Sequence, residues 1–273
     1  MQPTPKKRFH DGLNEGIKRV LLGQIRTLWT HTSTAIEGNR LTLGDTAFIL
    51  EEGLTVSGKP LKDHQEVYAH ARAIDLIYQW IECEEITKAD VFALHRAIQA
   101  EHIMDIYHPV GGWKVEPNYT SFVSGEGRQA IREYPAPQHT DKLMGQWLQR
   151  FNDAFKKDDF SMEEVGRVYA RLHLDFVTIH PFCDGNGRMA RLISNLPVLK
   201  SGFPPIVIPD TDRRKYKQII SDYQEAVHSL ATLDDLDRLP ENENFRNLCT
   251  SYWIETMRLV DEAHRLQTTS REI

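Results

Sequence analysis

The sequence predicts an all-α chain interrupted by one short β-hairpin. Apolar residues recur at helical spacing through nearly every stretch. Glycines, prolines and β-formers crowd together only between Pro109 and Pro137, and no other window alternates as a strand would. The 273 residues, 40% of them hydrophobic, suffice for one large domain with a substantial core.

Residues 1–12 are polar and proline-containing and are expected to form a flexible arm. Over residues 13–37 the positions Ile17, Val20, Leu21, Ile25, Leu28 and Trp29 keep a helical period, and Gly38-Asn39 supplies the stop. Thr42-Leu43-Gly44-Asp45 has the form of a helix cap, with Gly53 closing the short helix that follows. Residues 62–82 form another helix, with Val67, Ala71, Ile74, Ile77 and Trp80 inward, and Thr87 caps the next. The hairpin is placed near 112–128, from segments such as Trp113-Lys114-Val115 and 119–123 between turn residues. Helical spacing resumes near Asp141, again over 162–179, and then from the Gly-rich turn to about Leu196, where Pro197 kinks or ends the helix. Further helices are expected over 213–230 and 245–266.

The formal net charge of −6 disfavours a nucleic-acid footprint. Cys83, Cys183 and Cys249 are odd in number and lack C-x-x-C spacing, which suits a reducing compartment. With no signal-peptide pattern and no run of ~20 apolar residues, a cytoplasmic, non-membrane protein is expected.

The densest chemistry lies in His180-Pro181-Phe182-Cys183-Asp184-Gly185-Asn186-Gly187-Arg188-Met189-Ala190-Arg191. Pro181 disfavours helical geometry at His180 and should end the preceding helix there. A Gly-rich turn feeding a helix N-terminus presents backbone N–H groups to an anion. Arg188 and Arg191, three apart, share a helix face and add fixed positive charge. The stretch reads as a phosphate site with a base beside it, and Phe182 as a core anchor.

This stretch resembles the signature of the Fic (filamentation induced by cyclic AMP) family, H-P-F-x-[D/E]-G-N-G-R-x-x-R, at every specified position. Gly112-Trp113-Lys114 through Pro135-Ala136-Pro137 is similar to the family's flap hairpin. Ser33-Thr34-Ala35-Ile36-Glu37-Gly38-Asn39 is similar to its inhibitory motif, placed as in the class with an N-terminal inhibitory helix. The resemblance implies a Fic-type helical bundle: residues 13–60 carry the inhibitory helix, and residues 61–273 form the core in a single domain. It also implies AMP transfer from ATP to a Ser, Thr or Tyr hydroxyl of a target protein docked on the flap, with release of pyrophosphate, and pairing into homodimers is common in the family.

In that scheme His180, near an unperturbed pKa of about 6.5, is the general base. Asp184 holds Mg²⁺, which favours carboxylate and phosphate oxygens. Gly185, Asn186 and Gly187 form the anion hole. Arg188 clamps the β-phosphate and Arg191 the γ-phosphate. Glu37 pairs with Arg191 where the γ-phosphate belongs, with Ser33 as a supporting hydrogen-bond donor. Tyr216 and Tyr223 either line the adenine pocket or fill the core. Glycines at 185 and 187 favour AMP transfer over the family's kinase and phosphocholine-transferring branches, which carry lysine at the second motif glycine and alanine at the first. Three alternatives remain: AMP removal with Glu37 activating water, a non-enzymatic ATP-binding or DNA-binding regulator, and an iron site begun by His173-Leu174-Asp175. Residues two apart on a helix diverge, which counts against the iron site.

Overall fold

A computed structural model describes residues 8–99, 105–123, 128–157, 159–227 and 230–269. The chain builds α1 (Glu15–Ile36), α2 (Leu43–Glu52), α3 (Leu61–Trp80) and α4 (Lys88–Ile98), then an antiparallel hairpin of β1 (Tyr119–Val123) and β2 (Gln129–Glu133). There follow α5 (Pro137–Phe155), α6 (Met162–Ile179), α7 (Asn186–Ile193), α8 (Leu196–Lys200), α9 (Arg213–Ala226) and α10 (Glu243–Thr269). No helix among the described residues is long and apolar enough to cross a membrane.

Local sequence sets these boundaries. Thr42, Thr87 and Ser161 each form a reciprocal capping box with the acidic residue three positions on, an arrangement worth about 1 kcal/mol per cap. Gly53 closes α2 in the left-handed conformation. Helix α6 is the central element, packed on α5, α7, α8 and α10. The main core joins Trp29 of α1, Ile74 of α3, Trp147 and Phe151 of α5 and Phe176 of α6. A second cluster behind α6 contains Tyr169, Tyr216, Phe245 and Trp253. Truncating one of the fully buried tryptophans costs on the order of 3–5 kcal/mol, so the site on α6 and α7 rests on a rigid frame.

Several expectations shift. Residues 1–7 of the expected arm lie outside the described residues, but residues 8–12 rest on the core. Phe9 is buried, and Arg8 donates to the carbonyls of Leu199 and Lys200 and pairs with Glu82. The hairpin strands begin later than 112, and 124–127 between them lie outside the described residues. Trp113 is taken up by packing on Phe92 and Phe182, Lys114 is buried beneath the motif, and Pro117 has no N–H to donate to a ladder. Helix α5 starts at Pro137, where proline suits a helix N-terminus. Helix α7 ends at Ile193, and Pro197 falls in the first turn of a new helix, where its missing N–H costs nothing.

Candidate active site

Helix α6 ends at His180, which adopts the left-handed conformation (φ 51°, ψ 58°) as Pro181 requires the chain to leave helical geometry. The imidazole stacks on Tyr134 from the end of β2, with centroids 3.8 Å apart. Nδ1 lies 3.2 Å from the Val177 carbonyl, which assigns the proton to Nδ1 and leaves Nε2 as the acceptor. Burial and the Lys114 cation lower its pKa to about 4, outweighing the Val177 carbonyl, Asp184 and Glu37, which raise it. The ring is therefore neutral at pH 7 but a weaker base than an unperturbed histidine.

The turn after His180 is held from inside. The Asn186 side chain accepts from the Phe182 N–H (3.0 Å) and donates to the Phe182 carbonyl (2.8 Å). Its amide therefore braces the loop, and its backbone N–H lies in the first turn of α7. Gly185, at φ 80°, caps α7, and the N–H groups of its first turn have no intrahelical acceptor. A Cβ on Gly185 would be strained at this positive φ and would lie 2.9 Å from Ile98 Cδ1, which would have to shift. Arg188 donates to the Ile98 carbonyl (3.3 Å) and to Asp184 Oδ2 (3.0 Å). The Asp184 side chain is 77% exposed at the mouth of the cleft.

Arg191 is buried and enclosed by α1. Its Nε donates to Ser33 Oγ (3.0 Å), and Nη2 donates to the Ser33 carbonyl (2.9 Å) and to Glu37 Oε1 (2.7 Å). Ser33 thus accepts from Arg191, where the sequence suggested a donor. Lys217 of α9 donates to Glu37 Oε2 (3.2 Å), and Arg213 donates to the carbonyl of Ile36 (2.5 Å). Burial pushes the Glu37 carboxyl up, but Arg191 and Lys217 outweigh it and hold it at about 2. The carboxylate lies over the Gly-rich turn: a Cβ on Gly187 would be 2.5 Å from Glu37 Oε1.

These groups line one cleft of about 740 Å³, with Glu37, His180, Asp184, Gly185, Asn186, Gly187, Arg188 and Arg191 all on its wall. Sequence reasoning missed several contributors. His95 of α4 stacks on Phe182 at 3.8 Å, accepts from the Gly111 N–H (2.9 Å) and meets the Asp184 carbonyl at 3.1 Å. Lys217 had no signal, because one lysine on an amphipathic helix looks like any solvated residue. Tyr216 is a buried core residue that also touches the cleft, its hydroxyl 2.8 Å from His173 Nε2 and 3.4 Å from Arg191 Nη1. Tyr223 is core, donating to the Pro240 carbonyl. His173 faces Tyr216, whereas Asp175 pairs with Arg150 and Arg171, so the two do not converge on a metal. Among the described residues no three His, Cys, Asp or Glu side chains are grouped to hold an ion.

Known proteins share this architecture. Residues 85–198 match the sequence model of the Fic/DOC family. Protein adenylyltransferase fic-1 of Caenorhabditis briggsae is 32% identical over 205 residues, covering 72% of this chain and 36% of that protein. Protein adenylyltransferase Fic of Drosophila willistoni is 34% identical over 189 residues, covering 67% of this chain and 34% of that protein. The chain thus aligns with about a third of these curated relatives. A crystal structure of a Fic-domain-containing signaling protein from Bacteroides thetaiotaomicron superposes with a TM-score of 0.79 at 27% identity, over 94% of this chain and 93% of that one. Fic-1 (residues 134–508) from C. elegans shares the fold, with a TM-score of 0.66 at 23% identity over 94% and 69% of the two chains. With the motif turn, the hairpin and α6 falling inside or beside the matched segment, the chain belongs to the Fic/DOC family.

Proposed function

We propose that this chain is a protein adenylyltransferase that moves AMP from ATP to a Ser, Thr or Tyr hydroxyl of a target protein, and that Glu37 holds it off. The observation that carries this reading is the seat of the Glu37 carboxylate. It lies against Gly187 and bonds Arg191 at 2.7 Å, an anion already resting in an anion cradle. A terminal phosphate needs the same position and the same guanidinium, so the two compete.

The chemistry follows from the placement of the groups. The target hydroxyl oxygen attacks the α-phosphorus, the bond from that phosphorus to the bridging oxygen breaks, and pyrophosphate leaves. The hydroxyl proton passes to His180 Nε2, a role worth about 10²–10⁴ in rate. An anionic triphosphate beside the ring raises the imidazole pKa from its depressed value. The N–H groups at the start of α7 meet negative charge as it grows on the transferring phosphoryl group, and Arg188 and Arg191 hold the outer phosphates. The donor chemistry suits Mg²⁺, because Asp184 would offer it an exposed carboxylate beside the phosphate oxygens of the nucleotide. When bound, Mg²⁺ neutralises phosphate charge. The target segment adds to the hairpin edge as a further strand. The inhibitory region 13–60 and the core 61–273 act as one domain, and the homodimer common in the family is a natural assembly for it. The reverse reaction, with Glu37 activating water, draws no support from a carboxyl held at about 2 between two cations.

The test uses ATP labelled at the α- or the γ-phosphate, Mg²⁺, and the wild-type and Glu37→Gly chains. Label should pass to protein from the α-position, strongly with Glu37→Gly and weakly with wild type. Transfer from the γ-position, or equal labelling by both chains, would reject the proposal.

A further inference from the structure

Four consecutive carbonyls of the motif turn are bonded by two residues from the base of the hairpin. Lys114 Nζ donates to the Ile179 carbonyl (3.3 Å) and the Lys114 backbone N–H to that of Pro181 (2.8 Å). Asn118 Nδ2 donates to the carbonyls of His180 (3.2 Å) and Phe182 (2.9 Å). Lys114 Nζ also donates to Asn118 Oδ1 (2.8 Å), joining the two side chains. The turn so held contains the one non-glycine residue with positive φ among those described, His180 itself. Such a conformation persists only where the surroundings over-determine it.

The other strand of the hairpin reaches the same residue from the same base. Tyr134, directly after β2, donates its N–H to the Asn118 carbonyl (3.2 Å) and stacks its ring on the imidazole. We propose that Lys114 and Asn118 are positioning residues that lock the His180 turn to the base of the hairpin, so that base and docking strand keep a fixed register. This rests on the reading of His180 as the base of the transfer reaction.

Chemistry favours a positioning role over plain packing. Lys114 is only 3% exposed, and an uncompensated buried ammonium is costly where an apolar residue could fill the space. Burial lowers its pKa to about 7, against Cys183 and Glu133, which raise it. Below pH 7 it therefore keeps a cation beside His180, whose other charged neighbours are Asp184 and Glu37. Removing that cation should make the imidazole easier to protonate.

The experiment has two arms on the full chain. In the first, NMR follows the His180 Cε1–H resonance, assigned by its loss in His180→Gln, through an acid titration of wild type, Lys114→Met and Asn118→Ala. Lys114→Met should move the midpoint up by about one pH unit, and Asn118→Ala should shift and broaden the resonance at fixed charge. In the second, Asn118→Ala in the Glu37→Gly background should lower the kcat of AMP labelling at least about tenfold, with KM for ATP within about twofold. An unmoved midpoint in Lys114→Met, or an unchanged kcat in Asn118→Ala, overturns the proposal. If Lys114→Met does not fold, the Asn118→Ala resonance and kcat decide. If Glu37→Gly transfers no AMP, the functional reading fails, while the titration arm still judges the lock.

Discussion

Glu37→Gln keeps the side-chain shape and removes its charge, which makes it a direct probe of the plug. In the fold, burial acts to raise the carboxyl pKa, yet Arg191 at 2.7 Å and Lys217 at 3.2 Å bring it from 4.5 to about 2. That depression corresponds to ~3.4 kcal/mol. The side chain is 33% exposed, and screening by solvent reduces the value to about 2 kcal/mol. Because the folded-state pKa is depressed, the stabilisation is complete above pH 4.5 and drains away as pH falls towards 2. Urea unfolding of wild type and Glu37→Gln at pH 7 and pH 3 should give a gap of about 2 kcal/mol at pH 7 and less than half of it at pH 3. A gap equal at both pH values, or none at pH 7, would refute the idea that Glu37 is an ionised partner of Arg191.

Lys217→Ala removes a partner that is 43% exposed, so the plug should loosen by at most about 1 kcal/mol and basal AMP labelling should rise no more than about fivefold, read by labelled ATP. Gly187→Ala in the Glu37→Gly background puts a Cβ 3.1 Å from Arg191 Nη1 within the cradle, and calorimetry should show ATP binding at least about tenfold weaker. Asp184→Asn should raise the Mg²⁺ concentration for half-maximal labelling by about tenfold or more, because a neutral amide replaces the hard carboxylate. Asp175→Ala leaves Arg150 and Arg171 facing an empty buried site and should cost about 3–5 kcal/mol in urea unfolding without changing iron affinity.

Helix periods and caps were legible because each rests on neighbours in the chain: Thr42 and Thr87 with their acidic partners announce helix starts directly. The motif turn was legible for the same reason, its proline, glycines and arginines lying within twelve residues. What stayed hidden depends on distant partners. Lys217 lies 180 residues from Glu37 in sequence, and Lys114 and Asn118 meet carbonyls more than 60 residues away. Nothing local marks Lys114 as buried, and Trp113-Lys114-Val115 read as strand because its residue types match one. The role of the Asn186 side chain was also hidden, since its amide can face an anion or the loop, and only the 2.8 and 3.0 Å bonds to Phe182 decide. The depressed pKa of His180 likewise comes from burial and a lysine that only the fold brings near.

The most direct test of the central claim is mass spectrometry of protein incubated with ATP and Mg²⁺, using Glu37→Gly, Glu37→Gly/His180→Ala and wild type in parallel. An AMP adduct on a hydroxyl side chain that is abundant with Glu37→Gly, scarce with wild type and absent with the double variant is the predicted result. An adduct that survives loss of His180, or one equally abundant with wild type, would contradict it.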